Sequence, residues 1–262
     1  MKLPIYQIDA FTDEIFGGNP ACVVPLQDWL PDELLLKIAK ENAVAETAFF
    51  VMGKSSIHLR WFTPDLEMDL CGHATLATAY VLKVHLDYEP EVIVFDTLSG
   101  ELKVECHADM LTLDFPTREP VRAELPQAIK EAISTQPDAV LVARDYVLVY
   151  PSQSMVENIQ IDRHKFDEID LGTGGVIVTS KGTQCDFVSR FFTPQATILE
   201  DPVTGSAHCS LIPYWSKKLN KQDLVAMQLS DRKGTLYCHN NGKRVQISGK
   251  ARTFMVGHIW VD

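Results

Sequence analysis

The chain has 262 residues, 24 of them basic and 35 acidic, for a formal net charge of −11, with 46% apolar and 23% charged side chains. That mixture belongs to an ordinary globular protein, long enough to bury roughly three quarters of its extended surface without disulfides or metals. An acidic chain with no basic run cannot displace counterions from phosphates, which excludes nucleic acid as the natural partner, and no stretch nears the roughly 20 apolar residues of a membrane span.

In chain order, the N-terminus reads as a strand rather than the apolar core of a signal segment. Strands are predicted over 5–11, 21–25, 48–52, 57–62, 92–97, 102–106 and 110–115, all short, β-branched or aromatic, and bounded by Gly, Pro, Asp or Ser. The segment from Pro116 to Pro126, with three prolines and two charged pairs, reads as a linker. Beyond it, 139–143, 146–150, 175–180, 187–192, 236–239 and 245–248 repeat the strand pattern, and Asn240-Asn241-Gly242 suits a tight hairpin. Helices are expected over 31–42, 74–85, 127–134 and 207–218.

One pattern organises the rest. Arg60-Trp61-Phe62-Thr63-Pro64 returns as Arg190-Phe191-Phe192-Thr193-Pro194, 130 residues later. A glycine, small residues and a histidine then open an apolar helix in each half: Gly72-His73-Ala74-Thr75 and, displaced by 133, Gly205-Ser206-Ala207-His208. Shared order over this length implies duplication. The expectation is an α+β protein of two pseudo-symmetric domains, 1–116 (joined by 250–262) and 117–249, each a mostly antiparallel sheet rolled around a central helix.

Six cysteines stand at 22, 71, 106, 185, 209 and 238, no two closer than 24 residues, so neither a zinc knuckle nor a redox pair is spelled out. A reduced, cytoplasmic protein without metal is expected.

Chemistry concentrates around the two helix-opening glycines. First-turn amides have no intrahelical partner and bind anions, and glycine lets a ligand approach the backbone. Facing each other about a pseudo-twofold axis, Gly72-His73 and Gly205-Ser206 would form a carboxylate-binding cleft without an arginine; read separately, each glycine only starts a helix. Asp201 carries two readings as well. It caps the second helix, or it holds a substrate amine or orients His73. At a helix N-terminus, His73 would be a neutral imidazole donating one hydrogen bond and accepting another. Glu46 opens the apolar run Thr47-Ala48-Phe49-Phe50, where burial disfavours the charged carboxylate and suits it to shuttle protons near neutrality; as an edge residue in water it would do neither. Cys71, at the start of the first helix, would be an acidified thiol, but the repeat places Thr204 opposite, so a two-thiol racemase is incomplete. Asp201, Ser206 and His208 carry the letters of a hydrolase triad but lack the second glycine of its elbow. Gly172-Thr173-Gly174-Gly175 leads into a strand, not the helix a nucleotide loop requires.

Together these residues resemble the phenazine-biosynthesis PhzF-like isomerase family. The resemblance covers essentially the whole chain, through Asp9-Ala10-Phe11-Thr12 with Gly18-Asn19-Pro20, Ala45-Glu46-Thr47-Ala48-Phe49, Leu59-Arg60-Trp61-Phe62-Thr63-Pro64, Cys71-Gly72-His73-Ala74-Thr75, Ser99-Gly100-Glu101-Leu102 and Glu200-Asp201-Pro202-Val203-Thr204-Gly205-Ser206-Ala207-His208. It implies a diaminopimelate epimerase-like fold, a homodimer, and acid–base proton transfer on a small carboxylic acid with no cofactor. In the member that names the family, a dihydro-hydroxyanthranilate is isomerised by moving a proton between ring carbons. By motif match, Glu46 is the acid/base, His73 and Asp201 position and polarise the substrate, and Asn19, Gly72, Gly205 and Ser206 line the pocket. Where the family often has serine before the glutamate, this chain has Ala45, which removes a hydrogen bond and bears on substrate preference. Three rivals stand beside this reading: a racemase or epimerase using Cys71, a non-catalytic binding or scaffold protein on the same fold, and a hydrolase built on Ser206.

Overall fold

Alternation in the sequence becomes a two-faced sheet. Along Gly100–His107, Leu102, Val104 and Cys106 are buried while Glu101, Lys103 and Glu105 face outward. The computed structural model describes residues 1–54 and 56–261. The chain divides into two units, Met1–Phe115 with the returning segment from Gln246, and Pro116–Val245.

The first unit contains β1 (Lys2–Ala10), β2 (Asn19–Leu26), α1 (Asp32–Asn42), β3 (Glu46–Met52), β4 (Ile57–Phe62), β5 (Glu67–Met68), α2 (Gly72–His85), β6 (Val92–Thr97), β7 (Gly100–His107) and β8 (Met110–Pro116). The second contains β9 (Val121–Arg122), α3 (Gln127–Ala132), β10 (Ala139–Val142), β11 (Tyr146–Val149), α4 (Gln153–Asn158), α5 (Arg163–Phe166), β12 (Val176–Lys181), β13 (Phe187–Phe192), β14 (Glu200–Asp201), α6 (Gly205–Leu219), β15 (Asp223–Gln228) and β16 (Gly234–Asn240). β17 (Arg244–Gly249) and β18 (Ala251–Trp260) follow, and β18 pairs with β1.

Strand pairing repeats as the letters do. In the first unit β1–β2 is antiparallel, β2–β3 parallel, β3–β4 antiparallel, β4–β6 parallel and β6–β7 antiparallel. The second unit runs through the same series as β10–β11, β11–β12, β12–β13, β13–β15 and β15–β16. Parallel neighbours need crossovers, and the helices fill them: α1 before β3, α2 before β6, α4 and α5 before β12, α6 before β15. The echoed arginines explain why the motif was kept twice. Arg60 reaches both oxygens of Glu67 at 2.7 Å, and Arg190 reaches both oxygens of Glu200 at 2.7 and 2.8 Å. Forked, half-buried pairs of this kind hold a short strand against its neighbour. Each guanidinium also lies over its motif phenylalanine, 5.1 Å from Phe62 and 4.9 Å from Phe192. The architecture is α+β with two pseudo-symmetric halves, as the sequence implies.

Both central helices are buried almost all round. In α2 every residue from Gly72 to Ala79 is buried, with Val81 and Leu82; in α6 the burial runs from Gly205 to Pro213, then Trp215 and Ser216. A helix without a polar face belongs inside a fold. Pro213 has no N–H to offer the carbonyl of Cys209, which takes the backbone N–H of Arg118 at 3.0 Å instead. The sheets' other faces are covered by α1, with Leu35, Ile38 and Ala39 against Val24, Phe49 and Phe62, and in the second unit by Ile129, Val156 and Phe166 against Leu148, Val178 and Val188.

Differences from the sequence reading are local. Both central helices begin two residues early, at Gly72 and Gly205, because burial rather than propensity sets their start. The expected linker contains β9, paired with β10. Helices α4 and α5, six and four residues long, are too short to show a 3.6-residue period.

Candidate active site

In the first unit a glycine sets the geometry. Gly18 sits at φ +61°, and a Cβ there would lie 2.1 Å from the Ala10 carbonyl oxygen, so only glycine fits. The tight loop delivers Asn19 as the first residue of β2, fully buried. Glu46 begins β3 beside Ala21 of β2, and His73 lies in the first turn of α2. The three side chains converge. Asn19 Nδ2 is 3.1 Å from His73 Nδ1, Cys71 Sγ is 3.6 Å from the same nitrogen, and Glu46 Oε2 is 3.1 Å from His73 Nε2. Glu46 is 13% exposed and His73 3%. Among the described residues, Glu46 Oε2 and His73 Nε2 face one another as an ion pair and take no further hydrogen-bond partner. A charged pair taken out of water with no further hydrogen bonds costs free energy in a purely structural role.

Protonation follows from these neighbours. Burial alone would lower His73, but the adjacent Cys71 and Glu46 outweigh it and raise its pKa well above the usual histidine value. The neutral ring expected from a helix N-terminus is therefore corrected: a carboxylate at 3.1 Å acts more strongly than the helix dipole. When Nδ1 carries its proton, Asn19 presents its amide oxygen instead of its nitrogen, a turn between nearly isosteric ends. Burial, with Glu46 adding to it, pushes the Cys71 thiol up to about 11. The acidified thiol is corrected for the same reason: desolvation penalises the thiolate more than the helix start favours it. One carboxylate oxygen, Cys71 Sγ and a His73 nitrogen lie within 4.8 Å of one another and could hold a soft divalent cation. Such a cation must first displace protons from both the thiol and the imidazolium.

In the second unit, Asp201 ends β14. Its Oδ2 accepts from Thr204 Oγ1 at 2.5 Å, and fully buried Gln228 ties the corner together, donating to the Asp201 carbonyl at 2.7 Å and accepting from the Thr204 N–H at 2.8 Å. Asp201 thus reaches the start of α6 through Thr204. Gly205 and Ser206 form the buried first turn, and Ser206 Oγ accepts from Arg144 Nη2 at 3.0 Å. The partner recorded for this hydroxyl is a guanidinium donor, not the general base that a hydrolase nucleophile needs. Arg144 escaped the sequence reading; its signal was an Arg-Asp pair between two apolar strand segments.

His208 is the instructive contrast to His73. It too is fully buried in the first turn of its helix, but among the described residues its ring makes one hydrogen bond, at 2.8 Å, from Nδ1 to the Thr204 carbonyl. With no anion near, burial lowers its pKa to about 4. The unfolded chain takes up this proton near pH 6.5, the native protein only near 4, so the linked stability is full above ~6.5 and disappears as pH falls, on the order of 3 kcal/mol in total. His208→Asn is expected to flatten the decline in urea-unfolding free energy between pH 7 and 4; an unchanged slope assigns the acid sensitivity elsewhere.

Residues 8–257 match the phenazine biosynthesis-like (PhzC-PhzF) family. The chain belongs to that family. An uncharacterized isomerase of Pseudomonas aeruginosa is 47% identical over 99% of each chain. A crystal structure of a PhzF-family phenazine biosynthesis protein from Enterococcus faecalis superposes with a TM-score of 0.94, at 44% identity and full coverage of both chains. At 9% identity, covering 98% of this chain and 92% of the other, a hydroxyproline epimerase from Agrobacterium vitis shares the fold with a TM-score of 0.65. The enzyme is an isomerase. Among the described residues, no helix is long and apolar enough to cross a membrane.

Proposed function

We propose that this isomerase moves a proton on a small cyclic or linear amino- or hydroxy-carboxylic acid, with Glu46 as the acid/base and no cofactor. The observation that carries the reading is the half-buried Glu46 carboxylate set against the buried His73 ring, oxygen to nitrogen at 3.1 Å. Glu46 as carboxylate takes a proton from a substrate carbon, the electron pair is delocalised toward the acid or ring, and the same side chain returns the proton at a neighbouring carbon. His73, held by Asn19, donates to the developing negative oxygen or polarises the amine. Asp201 holds the amine or hydroxyl; Gly72, Gly205 and Ser206 supply donors for the carboxylate.

Solvent-deuterium incorporation, screened by mass spectrometry over cyclic and linear amino and hydroxy acids, tests the reading. One deuterium at one carbon is expected; no incorporation into any acid of either class defeats it. The Cys71 alternative has the thiol's place in the cluster in its favour and its high pKa against it. The cysteine spacing supports a reducing cytoplasmic setting. Homodimerisation is supported by Phe254, Met255, Val256 and Trp260, exposed together on β18. Sedimentation equilibrium is expected to return twice the chain mass, and a monomer at tens of micromolar removes this part of the reading.

A further inference from the structure

We infer that Arg144 is a specificity-determining residue that clamps the carboxylate of the substrate beside Ser206, so that the enzyme takes free acids and rejects their neutral amides. The inference rests on the proton-transfer reading above, and it deepens the substrate class.

The support for Arg144 is unusual. Asp145, the next residue, has a fully buried side chain whose Oδ1 accepts from Arg144 Nε at 3.2 Å and from the Gly175 N–H at 2.9 Å, while Oδ2 has no partner. Burying a carboxylate is costly unless a fixed countercharge accompanies it. Asp145 therefore holds the guanidinium in place as a positioning residue. The contacts to Asp145 and Ser206 use two of the five guanidinium N–H groups. The side chain is 19% exposed, so it is not sealed from a ligand.

The motif Gly172-Thr173-Gly174-Gly175 finds its purpose here. A Cβ on Gly174 would lie 2.9 Å from the Arg144 carbonyl oxygen, and one on Gly175 would lie 2.4 Å from Phe191 Cζ. The paired glycines let the Arg144-Asp145 corner pack close; they do not cradle a nucleotide.

The duplication gives a second, independent line. Ala48 pairs with Trp61, and Ile177 pairs with Phe191, the echo of Trp61. That register makes Gly175 the counterpart of Glu46, as Ser206 is the counterpart of His73. The first half thus sets a titrating carboxylate against its histidine. The second half has no side chain at that place and sets a guanidinium against its serine instead. Duplicated halves that diverge at two matched positions have divided the labour: one exchanges protons, the other anchors charge. A planar fork with spare donors beside first-turn amides fits a carboxylate and gains little from a neutral amide. Arg118, whose backbone N–H meets Cys209, adds a second positive charge that acts on the same stretch of α6.

The test is calorimetric titration of the whole chain with benzoate and anthranilate, matched against benzamide and 2-aminobenzamide. Wild-type protein is expected to bind each acid at least ~10-fold tighter than its amide, and Arg144→Gln to erase that preference by weakening only the acids, about 10- to 100-fold. Arg144→Lys, which keeps the charge but not the fork, should retain part of it, and Asp145→Asn should behave likewise. Glu46→Gln should keep the full preference, so a failure of the proton-transfer reading leaves this result intact. The inference is overturned by a folded Arg144→Gln protein with unchanged preference, by a wild type that does not discriminate, or by no binding of all four compounds up to about 10 mM. Should Arg144→Gln not fold, Arg144→Lys decides: acid affinity identical to wild type overturns the clamp.

Discussion

Glu46→Gln is expected to stop solvent-deuterium incorporation, lowering the rate by two to four orders of magnitude, the usual worth of a positioned acid/base. The amide has nearly the volume of the acid and cannot cycle a proton, so chemistry is removed with little change in shape. The fold should survive with some loss of stability near neutrality, because the carboxylate that faces His73 at 3.1 Å and favours its imidazolium is gone. Circular dichroism and urea unfolding check the fold, and calorimetry with anthranilate checks that binding survives. Full turnover by the folded variant on a verified substrate would exclude Glu46 from the mechanism.

The second large effect concerns His73. His73→Asn should cost about a hundredfold or more in turnover and remove the alkaline limb of the pH–rate profile. The sign follows from the raised pKa. An imidazolium favoured by Glu46 and Cys71 persists through neutrality and is lost as pH rises through its elevated native value. Stability linked to this group behaves the same way, full below the unfolded value near 6.5 and lost at higher pH. Cys71→Ala serves as the control. A thiol held at about 11 is protonated at neutral pH, so its loss should change turnover by only a few-fold. Should Cys71→Ala abolish exchange while Glu46→Gln remains active, the thiol is the base and Glu46 is not.

Much of this was legible in the letters. Duplication could be read from Arg60–Pro64 and Arg190–Pro194 because the motif does the same physical job twice, an Arg–Glu fork locking a short strand to its neighbour. The helix-opening glycines could be read because each stands at the head of an apolar run, where a loop enters a buried helix. Glu46 and His73 stood out as polar residues at the mouths of apolar segments. Arg144 and Asp145 did not stand out, since an Arg-Asp pair between strands looks like a solvated turn. Only the packing that buries Asp145 completely reveals it as a fixed counterion.

Sequence alone thus determined the family, the doubled α+β plan, and the residue types available for proton transfer, because periodicity and backbone constraint are local properties of a chain. It could not determine protonation. His73 and His208 both follow a helix-opening glycine and are both buried, yet one is raised well above the ordinary histidine value and the other lowered to about 4. The difference is whether a carboxylate from a strand 27 positions away arrives within 3.1 Å. Charge in a buried place is set by neighbours in space, and only the folded chain chooses those.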